Sequence, residues 1–139
     1  HVVVLNGIAF TGINGWYNNG ANIISAEDLH IVENYRQNDL TYLGLTIKNF
    51  QLHRDITKIV VISNCIPSQS IVYHNFVDES VRYGVPEPGL ALLMDTDHKV
   101  SHWLYGGSEL LVDNVYNRRR YVNNPRLVGQ PYWPKRIVI

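Results

Sequence analysis

The segment Lys58–Ser63, which reads Lys-Ile-Val-Val-Ile-Ser, constrains the fold more than any other part of this chain. It is a short, continuous run of mostly β-branched apolar residues, and such a run is typical of a strand that is buried on both faces. The tetrapeptide Asn64-Cys65-Ile66-Pro67 follows it, and its proline cannot continue a central strand. The sequence therefore predicts a sheet that other elements cover on both sides.

Two pairs of short β-type segments surround turn signals and predict hairpins. Val2–Leu5 and Ile8–Ile13 are separated by Asn6-Gly7, the strongest short hairpin signal. Residues 110–116 and 120–123 flank a second turn at Asn117-Arg118. Two further strands are predicted at residues 102–105 and 136–139. The basic cluster 118–120 is interpreted as a solvated turn.

Helical patterns lie between these strands. Ser25 has the chemistry of a helix N-cap, and two acidic residues follow in the first turn, where the helix dipole favours negative charge. We expect this helix to end near Asn38-Asp39 and a third helix to start at residues 86–89. The second helix, between them, has an apolar stripe at three- and four-residue intervals, formed by Leu40, Leu43, Ile47 and Phe50. Together the elements predict an α/β (α+β) fold with mixed β-sheets packed with helices.

Length and composition exclude several classes of protein. The chain has 139 residues, enough for a single domain that spans residues 1–139. Its net charge is +0 and it has no long basic run, so nucleic-acid binding has no support. No apolar stretch approaches the ~20 residues that a membrane-spanning helix needs, so we expect no membrane partner. Cys65 is the only cysteine, which fits a reducing compartment, and we expect the cytoplasm.

Two predicted strand ends are candidates for a functional site. Ligands of open α/β sheets bind beyond the carboxyl ends of the strands. One such end is Ser63-Asn64-Cys65, and the other is Gly106-Gly107-Ser108-Glu109. His98 and His102 have the spacing of two metal ligands on one helix, but the strand predicted at 102–105 breaks that spacing and argues against a metal site there.

These strand ends belong to blocks that resemble a known family. Residues 59–68 read Ile-Val-Val-Ile-Ser-Asn-Cys-Ile-Pro-Ser, residues 102–109 read His-Trp-Leu-Tyr-Gly-Gly-Ser-Glu, and residues 120–126 end in Asn-Asn-Pro-Arg. In this order, with hairpin 2–16 before them and strand 135–139 after them, they resemble the C-terminal half of the calcineurin-like metallophosphoesterases. The corresponding family blocks contain Thr-His-His followed by an apolar residue, Pro and Ser, and then Gly-His-Thr-His. The resemblance implies that the chain is the C-terminal part of a larger α/β/β/α sandwich domain.

The resemblance also implies where a two-metal centre would lie. The family takes its ligands from five blocks, and the first three would precede His1. In the last two blocks the family histidines align with Asn64, Cys65, Gly107 and Glu109. Glycine has no side chain to offer, and an amide oxygen is a weaker ligand than imidazole for Zn, Mn or Fe. Glu109 suits a hard metal and a Cys65 thiolate a soft one, although a hairpin role and a packing role are more common for such residues.

The sequence thus predicts a non-catalytic binding or structural protein, a pseudoenzyme without a cofactor. We expect its partner to be another protein chain or the missing N-terminal segment. Trp16, Tyr17 and Arg126 are candidates for a binding surface, although aromatic residues in such a position are more often part of the core. One alternative is an active metal-dependent phosphoesterase with two divalent ions (Mn, Fe or Zn), completed by an N-terminal half. Another is an unrelated α/β module.

Overall fold

A computed structural model describes residues 1–14, 25–67, 99–106, 111–125, 129, 131 and 133–139. Within them the chain forms six strands and one helix: β1 (Val2–Leu5), β2 (Ile8–Ile13), α1 (Ala26–Leu52), β3 (Lys58–Ser63), β4 (Val100–Tyr105), β5 (Val112–Tyr116) and β6 (Arg119–Asn123). The helix predicted to start at residues 86–89 lies outside the described residues. The predicted α+β class with a mixed sheet is confirmed.

The six strands form one sheet in the order β1-β2-β3-β4-β6-β5. The four inner strands β2, β3, β4 and β6 run parallel to one another, and each edge strand pairs antiparallel with its neighbour. Parallel strands end at the same side of a sheet, so the carboxyl ends of β2, β3 and β4 meet there. The topology therefore brings together segments that are about 40 to 50 residues apart in the sequence.

Both predicted hairpins are present, and their turns share one geometry. Asn6 and Gly7 have φ angles of 49° and 76°, and Asn117 and Arg118 have φ angles of 47° and 64°. Positive φ at both central residues is the mark of the type I′ turn, whose twist matches that of the flanking strands. Glycine adopts this conformation without cost, whereas Arg118 adopts it against steric resistance. The second turn is therefore the more strained of the two.

The prediction of two helices with a break near Asn38-Asp39 is wrong, because α1 runs without interruption through 27 residues. Asn and Asp cost only about 0.5–0.7 kcal/mol each relative to alanine inside a helix, and neither removes a backbone hydrogen bond as proline would. Just before the predicted break, Glu33 accepts hydrogen bonds from Arg36 and Gln37 one turn later. Such pairs stabilise the helix locally. The N-cap prediction at Ser25 is confirmed, since its hydroxyl accepts a hydrogen bond from the Asp28 amide.

The core lies between α1 and one face of the sheet. Leu43 and Ile47 of the predicted stripe are buried there, with Leu40 and Phe50 at the border. We call the face that carries Ala9, Val61, Trp103 and Tyr121 the helix face, because these residues pack in one cluster with the α1 stripe. The opposite face carries Val3, Phe10, Ile62 and Val122, and we call it the far face.

The far face is only partly covered. Val60 and Val122 are buried there, but the side chain of Ile62 is 48% exposed. Burial of β3 on both faces is thus confirmed for its middle and wrong at Ile62. The predicted strand at 136–139 is also wrong, because residues 133–139 pair with no strand. β6 already pairs with β4 on one side and with β5 on the other, so this segment cannot pair with β6.

Candidate functional site

The carboxyl ends of β2, β3 and β4 are tied together by backbone hydrogen bonds. The Asn64 amide donates to the carbonyl of Asn14 at 3.1 Å, and the Gly106 amide donates to the carbonyl of Ser63 at 3.0 Å. We call this edge, formed by Asn14, residues 63–67 and Gly106, the strand-end site. The chain thereby places Ser63 and Asn64, of the first predicted strand end, beside Gly106, the described residue of the second.

Ser63 organises the buried side of this site. Its hydroxyl accepts a hydrogen bond from the Trp103 indole nitrogen at 2.9 Å and donates one to the Cys65 carbonyl at 2.8 Å. Both side chains lie in the interior, since Trp103 is fully buried and Ser63 nearly so. A buried indole N–H needs an acceptor, and a single hydroxyl both satisfies it and fixes the turn after β3. Sequence reasoning missed this role, although a serine that closes a buried apolar strand was a signal for it.

Asn64 is exposed, and its side chain packs against the end of β4. A Cβ atom at Gly106 would stand 3.0 Å from its amide oxygen, so the absence of a side chain at Gly106 makes room for Asn64. Its amide oxygen is thus packed against backbone at the end of β4. This neutral oxygen is a weak ligand for Zn, Mn or Fe.

Cys65 points into the protein and not toward a ligand. It is 3% exposed and belongs to the apolar core cluster, beside the equally buried Ile66. A thiol in such surroundings behaves as a small hydrophobic side chain. A catalytic or metal-binding thiolate instead occupies an electropositive, partly exposed environment. The packing interpretation of Cys65 is therefore the one that its position supports.

Tyr105 is a buried titratable group at the end of β4, and sequence reasoning did not single it out. It stands opposite Ser63 in the β3–β4 register. Its hydroxyl is buried and has no hydrogen-bond partner among the described residues. Burial raises the pKa of this phenol above its ordinary value because the charged form loses its hydration. Tyr105 is consequently a neutral side chain across the physiological range.

The far face carries an ionic cluster built by the second hairpin. Arg120 donates two hydrogen bonds to the Asp113 carboxylate at 2.8 and 3.0 Å, and Lys135 contacts the same carboxylate at 2.5 Å. The hydrogen bonds from Arg120 and then Lys135 hold the pKa of Asp113 far below its usual range. The interpretation of residues 118–120 as a solvated turn holds for Arg118 but not for Arg119, which is buried. The hairpin register, which places Asp113 diagonal to Arg120, was the signal available in the sequence.

His102 lies on the far face of β4, beside this ionic cluster. Burial, followed by the nearby charges of Arg120 and Lys58, lowers the pKa of its imidazole. Its Nδ1 atom is 2.9 Å from the hydroxyl of Ser101. His98, with which His102 was weighed as a metal pair, lies outside the described residues. Its burial in β4 and its contact with Ser101 account for His102 as a packing residue of the sheet.

The donors that the structure describes at the strand-end site do not by themselves fit a two-metal centre. Such a centre needs several imidazoles or carboxylates converging on one point. The described part of the strand-end site offers the side-chain amides of Asn14 and Asn64, the hydroxyl of Ser63 and the buried thiol of Cys65, and it contains no imidazole or carboxylate. Across the described ranges, no group of three or more His, Cys, Asp or Glu residues could hold a metal ion. The remaining predicted site residues, Gly107, Glu109, Trp16, Tyr17 and Arg126, lie outside the described residues.

Comparisons with known proteins returned no match: no family model, no curated protein and no solved structure matches this chain. The resemblance to the metallophosphoesterases therefore stays a prediction. Among the helices that the structure describes, none is long and apolar enough to cross a membrane.

Proposed function

We propose that this chain is a non-catalytic binding protein built on a metallophosphoesterase-like scaffold. The strand-end site carries the argument. Where a phosphoesterase of this kind would present imidazoles, Asn64 presents a neutral amide that packs against Gly106, and Cys65 turns its thiol into the core. Backbone hydrogen bonds join the three strand ends to one another. These described residues hydrogen-bond to and pack against one another, and they include no imidazole or carboxylate that would be a strong metal ligand.

The sandwich architecture belongs to the same proposal. Its support is the asymmetry of the sheet, since α1 covers the helix face while the far face of β1, β2 and β3 keeps apolar side chains exposed. A sheet needs cover on both faces when both are apolar. A groove of about 460 Å³ runs along the exposed part and is lined by residues that include Val3, Phe10, Gly12 and Ile62. The proposal places a partner at this far-face groove or at the β1 edge that borders it.

We place the partner in one of two classes, another protein chain or an upstream segment of the same polypeptide. Contiguous exposed apolar patches on a protein mark contact surfaces. The lining of the groove is mainly apolar, through residues such as Val3, Phe10 and Ile62, with His1 at its border, and this composition suits an apolar protein surface. The proposal keeps the cytoplasm as the location, because a single buried thiol fits a reducing compartment.

Metal content and hydrolysis test this function together. The purified chain is incubated with Mn²⁺, Fe²⁺ or Zn²⁺, passed over a desalting column and measured by elemental analysis, and then assayed with bis(p-nitrophenyl) phosphate. We expect less than one tightly held ion per chain and hydrolysis equal to the buffer blank. An active phosphoesterase of the same family, treated identically, is the positive control.

About two ions per chain together with turnover would refute the proposal and favour the active enzyme. Two substitutions then locate the metal. Loss of binding in Asn64→Ala, with binding retained in Asn114→Ala on β5, would place the ions at the strand-end site. Binding that survives both substitutions would place the ions elsewhere and would also contradict the alignment of Asn64 with a family ligand.

A further inference from the structure

The edge strand β1 is apolar throughout and exposed throughout. Its four residues, Val2, Val3, Val4 and Leu5, are 41%, 61%, 51% and 60% exposed. β1 pairs on one side only, with β2, so its outer backbone groups face away from the described sheet. Natural sheets usually protect such edges with charges, prolines or bulges. β1 has none of these.

The opposite edge of the same sheet shows the protection that β1 lacks. β5 carries Asp113, whose carboxylate is held between Arg120 and Lys135. Charged groups beside an edge strand discourage the addition of another strand, because pairing would strip them of water. The two edges therefore differ in charge: β5 carries an ion-paired carboxylate beside its exposed Val115, whereas all four residues of β1 are apolar.

The apolar surface of β1 continues on both faces of the sheet. On the far face, Val3 lies beside Phe10 in the β1–β2 register, and the groove leads on to Ile62. On the helix side, the amino group of His1, the residue before β1, donates to the hydroxyl of Tyr42 in α1, and Tyr42 is 37% exposed. The exposed fractions of Val2–Leu5 correspond to an apolar patch on the order of 350 Å² on each copy, a size at which the largest patch on a monomer is often functional.

We infer that β1 pairs antiparallel with β1 of a second copy of this chain. This inference rests on the proposed binding function and names its partner. A two-fold axis perpendicular to the sheet, placed at Val3, sets Val2 opposite the second copy's Val4 and keeps the far faces on the same side. An isologous contact must be complementary to itself, and an uncharged apolar strand meets that condition without like-charge repulsion.

A second copy explains both edges at once. Pairing β1 with β1 consumes the two unprotected edges and leaves the two β5 edges, with their ionic clusters, at the ends of one continuous sheet. The assembly closes as a dimer and offers no unprotected edge for a third copy. Pairing the four β1 residues of two copies buries on the order of 700 Å² in total, below the range of stable specific interfaces. The dimer is consequently weak and forms only at high protein concentration.

Sedimentation velocity over about 1 to 500 µM tests the inference. We expect the chain to pass from monomer to dimer within this range and to form no larger species. Val3→Lys places a charge in the contact and should weaken dimerisation at least 30-fold, and Val4→Lys on the other face of β1 should do the same. Val115→Lys is the matched control, because Val115 is 71% exposed on the opposite edge strand β5. It should leave dimerisation unchanged, and circular dichroism checks that each variant is folded.

A chain that stays monomeric up to 500 µM would overturn the inference, as would equal dimerisation of Val3→Lys and the unsubstituted chain. Loss of the dimer in Val115→Lys but not in Val3→Lys would move the contact to β5 and contradict it. These outcomes are separate from the metal and hydrolysis assays. A metal-free, inactive monomer would end the dimer proposal while leaving a binding protein that has some other partner.

Discussion

Replacing Ser63 with alanine tests the hydrogen-bonded centre of the strand-end site. The substitution removes one hydroxyl that serves two hydrogen bonds, from the Trp103 indole and to the Cys65 carbonyl. A net hydrogen bond contributes about 1 kcal/mol, and a buried donor left without an acceptor costs about 1–3 kcal/mol. Because Trp103 is fully buried, water cannot replace the lost acceptor without a rearrangement. We expect Ser63→Ala to lower the free energy of unfolding by about 2–3 kcal/mol.

Urea unfolding followed by far-UV circular dichroism measures this change without relying on tryptophan fluorescence. A double-mutant cycle with Trp103→Phe isolates the indole contact, since phenylalanine has no donor to leave unsatisfied. Ser63→Ala should cost about 1–2 kcal/mol less in the Trp103→Phe background than in the unsubstituted chain, because only the hydrogen bond to the Cys65 carbonyl is then lost. A cost below about 0.5 kcal/mol in the unsubstituted chain, or an equal cost in both backgrounds, would refute the reasoning.

Two further predictions concern the second turn and the buried phenol. Arg118→Gly relieves the positive φ of 64° in the type I′ turn and should raise the free energy of unfolding by about 0.5–1 kcal/mol; a loss of stability in urea unfolding would contradict the turn assignment. Because burial raises the pKa of Tyr105 in the folded protein, the neutral phenol contributes fully to the free energy of unfolding below the unfolded pKa of about 10. Above that pH this contribution falls by about 1.4 kcal/mol per pH unit. Tyr105→Phe should therefore flatten the fall in melting temperature between about pH 9.5 and 11.5, and parallel curves for the two proteins would count against a buried phenol.

Turn chemistry and strand periodicity were predictable because they depend on a few adjacent residues. Asn6-Gly7 allows only a small set of tight turns, so the first hairpin follows from the dipeptide and its flanking apolar residues. The β-branched run at Lys58–Ser63 specifies a strand for the same local reason. The apolar spacing of Leu43 and Ile47 likewise predicted which side of α1 faces the core.

The errors arose where a local signal competed with packing. Asn38-Asp39 suggested a break, yet α1 continues through it, because helix propensity is a weak preference that tertiary contacts override. Residues 136–139 have a strand-like composition, but β6 already pairs on both sides. Arg119 reads as a solvated turn residue, and only the fold shows that it is buried. None of these three outcomes can be predicted from ten adjacent residues, because each depends on contacts with distant parts of the chain.

The sequence by itself determined the two hairpin turns, the strand-forming character of Lys58–Ser63 and the presence of an amide and a thiol directly after that strand. Only the tertiary structure decided how those residues meet. Ser63 and Trp103 are 40 residues apart in the chain, and their hydrogen bond exists because β3 and β4 lie in parallel register. The same register sets Asn64 against Gly106 and turns Cys65 inward. Contacts over such separations depend on the whole sheet, because loop closure and burial are shared among all its strands.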